Sequence, residues 1–276
     1  NPAGKARRRA ARGERTQPAM ARRFYLIGHN PNSVAAAARC LEAGANALEP
    51  DVCYEPNEGA FYVHERIPLV PAWILRLLRR RLTLRRYLTG LRTYLARSGR
   101  GAQLALIAFD LKPPYGYDLD ALAAVVRADL LGDFPGTAVL MTVSDPGGMP
   151  WLATLAPGGA RRAVGVDQHA PPERVDEFLR TRPLPYTYAN GTSVPLLPTT
   201  CYLGPVRRAI ALRASGPGPG FRLVYAWTVN SRRSMTAFLD RDVDGIITDR
   251  IGKLRDLLRT GYADRYVLAT ADDEPL

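Results

Sequence analysis

The sequence predicts an α/β fold, a closed TIM (β/α)8 barrel, on three observations. Eight short apolar runs are spaced along the chain, and helical patterns lie between them, which is the mark of βα units and a parallel sheet. No glycine-rich phosphate turn follows the first run, which argues against a doubly wound open sheet. The 276 residues, 46% of them hydrophobic, are enough for one such domain, since barrels of this kind run to about 250 residues.

Strands are expected at 24–29, 47–54, 104–111, 138–143, 162–167, 185–189, 223–229 and 243–248. Helices are expected at 33–43, 118–131, 172–180, 205–214, 231–240 and 251–259, and the fourth crossover is weaker, near 149–155. The first strand ends on Gly28-His29-Asn30-Pro31, which places a histidine at its C-terminal end. Between the second and third strands lie about fifty residues, far more than an ordinary βα connection. This β2–α2 insertion holds an expected hairpin strand at 60–65 and then an arginine-rich helical segment. Long loops on the C-terminal face of a barrel usually carry function. The proline- and glycine-rich stretches 145–150 and 216–220 read as loops, and there is no internal repeat.

The formal charge of +12 is concentrated in two places. Residues 1–23 carry eight Lys/Arg against Glu14, and residues 76–100 carry nine arginines and no acid. The rest of the chain is mildly acidic, so the composition argues against a nucleic-acid partner. Residues 1–23 read as a disordered basic tail, and 24–276 as a single domain. No stretch approaches the ~20 apolar residues of a membrane span. Three cysteines, Cys40, Cys53 and Cys201, allow one bridge at most. The chain opens on Asn1, which fits a removed leader.

Glu49 and Asp51 stand two apart in the second strand, so both carboxylates point to one side. Pro50 between them cannot donate to a ladder, which marks the strand's end. Asp110 and Lys112 repeat the device on the third strand. Either pair alone also reads as an ordinary polar strand end, but two on successive strands point to a site. Three carboxylates without cysteine or clustered histidine favour Mg²⁺, one ion, over a soft metal. Lys112 would meet a phosphate oxygen. His29 and His64, two of three histidines, bracket the carboxylates and are natural acid/base groups, whereas His169 reads as structural or solvated. Tyr225 and Trp227 repeat the two-residue spacing on strand seven, either as barrel packing or as an aromatic wall for a quaternary ammonium.

These residues resemble the sphingomyelinase D family of toxin-type phospholipases D, itself similar to glycerophosphodiester phosphodiesterases. The matching pieces are Tyr25-Leu-Ile-Gly-His29, Gly44-Ala-Asn-Ala-Leu-Glu49-Pro-Asp51, His64 after a hairpin, Phe109-Asp110-Leu-Lys112, Tyr225-Ala-Trp227-Thr-Val and Val243-Asp-Gly-Ile-Ile-Thr-Asp249. Ala269-Thr-Ala-Asp-Asp-Glu-Pro275-Leu276 resembles the tail that plugs the barrel base in the toxin branch. The resemblance implies Mg²⁺ on Glu49, Asp51 and Asp110, catalysis by His29 and His64, phosphate held by Lys112, and substrate contacts from Tyr225, Trp227 and Asn230. It implies a lipid reaction in which a substrate hydroxyl attacks its own phosphorus, expels choline or ethanolamine and leaves a cyclic phosphate. A Cys53–Cys201 bridge is implied by some family members. Phospholipid or sphingolipid substrates, peripheral membrane contact, a monomer and secretion are expected with it. Asn230 stands where the toxins usually carry Asp, and Asp249 where they often carry Asn. The alternatives are a glycerophosphodiester phosphodiesterase and an inactive lipid-binding barrel. Leu84, Leu88, Leu91 and Leu95 form an apolar stripe, and the segment 73–100 is expected either to pack on the barrel or to contact lipid.

Overall fold

The computed structural model describes residues 21–55, 58–63, 82–112, 118–144, 146–154, 162–167, 170–192, 198–215 and 220–274. His64, His169, the apolar stretch from Trp73 to Leu78 and the final Pro275-Leu276 lie outside the described residues.

In chain order the elements are β1 (Arg22–His29), α1 (Val34–Ala43), β2 (Ala47–Glu49), β3 (Asp51–Glu55), β4 (Ala60–Val63), β5 (Leu82–Thr83), α2 (Leu84–Ser98), β6 (Leu106–Leu111), α3 (Leu119–Val126) and β7 (Ala138–Val143). There follow α4 (Met149–Leu152), β8 (Arg162–Val166), α5 (Pro172–Leu179), β9 (Tyr186–Gly191), α6 (Leu203–Ser215), β10 (Leu223–Trp227), α7 (Arg232–Leu239), β11 (Gly245–Thr248), α8 (Ile251–Gly261) and β12 (Tyr266–Leu268). Eight parallel staves close on themselves: β1 pairs β2 on one side and β11 on the other, and β6 to β11 follow in order. The expected second strand is broken in two at Pro50, whose missing N–H cannot join the ladder. β3 then continues the same stave against β6 and turns into the β4 hairpin.

Alternation along the strands separates two cores. Tyr25, Ile27, Leu106, Ala108, Leu140 and Tyr225 fill the barrel, while Phe24, Leu26, Ile107, Phe109 and Met141 face the helices. Side-chain caps start several helices: Ser33, Thr83, Asp118 and Ser231 each accept from a backbone N–H of the first turn. On α2 the leucines of the apolar stripe are all buried, together with Tyr87, and the helix packs on α1 and α3. Within 84–98 the stripe therefore serves the core and not a lipid surface.

At the ends of the chain one expectation changes and one is met. Arg22 and Arg23 belong to β1 and not to a tail: Arg22 bonds Asp244 at 2.6 Å, and Arg23 meets Asp273 at 2.6 Å. The C-terminal segment does close the base. Ala269 sits in the inner core, its N–H bonds the Phe24 carbonyl, and Ala271 N–H bonds the Ala102 carbonyl. Gly136 permits this approach, because a Cβ there would collide with the Ala271 carbonyl. Buried Asn46 locks the seam, accepting from Leu26 N–H at 2.7 Å and donating to the Phe24 and Ala269 carbonyls at 2.9 and 2.7 Å.

Candidate active site

Register brings the acidic residues together. Glu49 lies opposite His29 across β1 and β2, and Asp51 lies opposite Asp110 across β3 and β6. Glu49, Asp51 and Asp110 are all buried and can each offer an oxygen within 4.8 Å of the others. Lys112 Nζ reaches Asp51 Oδ1 at 2.9 Å and also bonds Asp110. Burial works against the Lys112 charge, but Asp110, Asp51 and Glu49 outweigh it and push the ammonium up, so it stays charged.

The set fits a divalent cation on three counts. Three carboxylates against one ammonium leave an excess of negative charge in a buried place. That excess shows in Glu49, pushed well above the usual carboxylate range by burial and then by Asp51 and Asp110. Finally, Asp51 Oδ1, although ion-paired to Lys112, has no aligned hydrogen-bond donor among the described residues. Hard oxygen donors without sulfur or imidazole suit Mg²⁺ or a similar ion.

The carboxylates are held from behind. Asn30 N–H bonds Glu49 Oε2 at 3.1 Å. Asn32 clasps Asp51 twice, donating from Nδ2 to Oδ2 at 2.8 Å and accepting from its backbone N–H at 2.9 Å. His29 Nδ1 lies 2.8 Å from Asp249 Oδ1. The bond to His29, outweighing partial burial, holds the Asp249 carboxyl below its usual range, so it is a carboxylate and accepts. The proton therefore sits on Nδ1, and Nε2 remains as the atom that can take or give one. Asn230 donates from Nδ2 to Asp249 Oδ2 at 2.7 Å and accepts from Asp249 N–H and the Thr248 hydroxyl.

A pocket of about 180 Å³ gathers His29, Glu49, Asp110, Lys112, Asp167 and Trp227. The Trp227 backbone lies close against β9: at Gly191 a Cβ would run into the Trp227 carbonyl. Two residues expected as substrate contacts stand behind this surface instead. Tyr225 is fully buried and donates to Asp167 Oδ1 at 2.5 Å, and the Asn230 amide is consumed by Asp249 and Thr248. The implied Cys53–Cys201 bridge is also absent among the described residues. Cys53 is buried in β3, whereas Cys201 is exposed in the turn before α6.

Sequence reasoning passed over Asn32 and Asp167. Asp167 closes the apolar run of β8 as Asp110 closes that of β6, so the same strand-end signal could have found it. Burial, reinforced by the charge of Asp110, pushes its carboxyl up to about 7.

Comparison with known proteins agrees with this geometry. The family model described as dermonecrotic toxin SPH matches residues 19–120 and 189–276. A dermonecrotic toxin of Loxosceles sabina is 26% identical over 285 residues, spanning 91% of this chain and 98% of the toxin. One of Loxosceles rufescens is 28% identical over 273 residues with the same coverage. In fold, the chain is similar to an Oleispira antarctica phosphodiesterase solved with sn-glycerol-3-phosphate, with a TM-score of 0.58, 16% identity and coverage of 86% and 97%. A glycerophosphodiester phosphodiesterase of Parabacteroides distasonis also gives a TM-score of 0.58 at 16% identity, covering 87% and 98%. His29, the three carboxylates, Lys112, Trp227 and Asp249 all fall within the matched segments, while Asp167 lies between them. The chain belongs to the dermonecrotic toxin SPH family.

Proposed function

We infer that this protein is a phosphodiesterase of the sphingomyelinase D type, acting on phospholipid or sphingolipid head groups. One observation carries the reading: three buried carboxylates form a cluster, and two of them, Glu49 and Asp110, line one pocket at the C-terminal rim of the barrel with Lys112 and the carboxylate-oriented His29. Glu49, Asp51 and Asp110 would hold Mg²⁺, which when bound neutralises charge on phosphoryl oxygens.

Lys112, adjacent to two of these carboxylates, binds a phosphate oxygen and balances developing negative charge. His29 Nε2 and His64 divide the proton transfers. A substrate hydroxyl loses its proton to one histidine as its oxygen bonds phosphorus, and the head-group oxygen leaves with a proton from the other. Trp227 receives the departing head group by cation–π attraction if that group is a quaternary ammonium. Secretion and contact with a membrane surface fit such substrates. Among the described residues no helix is long and apolar enough to cross a membrane.

The second reading, hydrolysis of deacylated glycerophosphodiesters, is favoured by Asp249, which departs from the asparagine common in the toxins. Incubation with Mg²⁺ and a panel of choline and ethanolamine lipids and soluble glycerophosphodiesters, read by phosphorus NMR, separates the two. A cyclic phosphate from a lipid supports the first reading, and a monoester from a soluble diester the second. Turnover of none of them would refute both.

A further inference from the structure

A second and larger groove, about 540 Å³, opens beside the catalytic pocket between α1 and the start of α8. Its size is in the range of small-molecule sites. It shares His29 and Asn30 with the pocket but extends away from the metal-binding carboxylates. Three cations line it: Arg39 from α1, and Arg250 and Lys253 at the beginning of α8. Among the described residues lining it Asp249 is the one carboxylate, and both its oxygens are engaged, by His29 and Asn230. The groove therefore carries an excess of positive charge.

That charge is not neutralised by salt bridges. Among the described residues neither Arg39 nor Arg250 forms an ion pair, and Lys253 reaches the Asn230 carbonyl at a long 3.4 Å. By contrast Arg22, Arg85, Arg92, Arg208 and Arg265 each meet a carboxylate. Ala36, Ala43 and Ile251 add apolar surface to the groove. Cys40 does not offset the charge, since burial pushes its thiol up to about 11.

We propose that this groove is a second site, which binds a phosphate monoester group through Arg39, Arg250 and Lys253. Arginine and lysine are the side chains suited to phosphate, by fork and by point charge. The apolar surface next to them would accept a chain attached to that phosphate. The proposal does not depend on the catalytic reading, because binding alone tests it.

Calorimetric titration of the full chain in chelator, with hexyl phosphate and separately with inorganic phosphate, is the experiment. The double variant Arg39→Gln/Lys253→Gln should weaken binding about tenfold or more. Both side chains are exposed, so the fold should survive, and the unfolding midpoint checks that. Arg86→Gln/Arg97→Gln, which removes the same charge from exposed positions on α2, should leave affinity within about twofold. Tighter binding of hexyl phosphate, by about tenfold, identifies a lipid-borne phosphate, and equal affinities identify the free anion. Either result upholds the phosphate site. No binding to the wild type, unchanged affinity in the groove variant, or equal loss in the α2 control overturns it.

Discussion

His29 Nδ1 and Asp249 Oδ1 lie 2.8 Å apart although 220 positions separate them in the chain. β1 and β11 are neighbouring staves, with Gly28 in register with Thr248, so the barrel's closure makes this pair. Asp249→Ala should lower kcat about ten- to a hundredfold with little change in KM, because the imidazole loses its fixed tautomer. Asp249→Asn should lose less, as its amide oxygen can still accept from Nδ1–H. His29→Ala and His64→Ala should each cost about a hundredfold or more. An effect of Asp249→Ala confined to KM would remove its orienting role.

Chelation should abolish activity, and Mg²⁺ should restore it. The ion should also raise the unfolding midpoint, since ligand at a hundred times its Kd adds about 2.7 kcal/mol. Glu49→Gln should erase most of that rise, because it removes a buried charged ligand from the cluster. A midpoint indifferent to Mg²⁺ in the wild type would count against the metal assignment.

Asp167 makes a pH dependence. Its carboxyl is raised from 3.8 to about 7 in the fold, chiefly by burial, so the folded state holds a proton that the unfolded state has released between those values. Stability of the metal-free protein should therefore fall as pH rises from about 4 to 7, by up to about 1.4 kcal/mol per pH unit from this group. Asp167→Asn should flatten that fall. Urea midpoints across the range, identical in slope for both proteins, would refute it.

Asn46→Ala should destabilise the fold by about 2–4 kcal/mol, because Leu26 N–H and the Phe24 and Ala269 carbonyls would be left without their side-chain partner in a buried seam. Denaturant unfolding measures this directly. A cost under about 0.5 kcal/mol would mean that water replaces the amide.

The barrel was legible because its signals are local. A short apolar run ending in charged residues states both a strand and the face of the barrel on which it ends, and Glu49, Asp51, Asp110 and Lys112 stand out that way. Even the break at Pro50 follows from one missing N–H. What periodicity could not separate was which apolar surface a stripe covers: Leu84, Leu88, Leu91 and Leu95 look alike whether they meet the core or a membrane.

Partnership across the closed sheet was a different matter. The sequence placed His29 and Asp249 at strand ends but said nothing of their bond, and it placed Tyr225 and Asn230 at the site without showing that hydrogen bonds to Asp167 and Asp249 occupy them. Cys53 and Cys201 could be paired on paper, but packing buries one in β3 and exposes the other. Side-chain type and strand position determine which residues reach the rim. Which of them face the pocket, and which stand behind holding others, was decided by the tertiary structure, because hydrogen-bond partners are fixed by register and barrel closure over distances that no local pattern encodes.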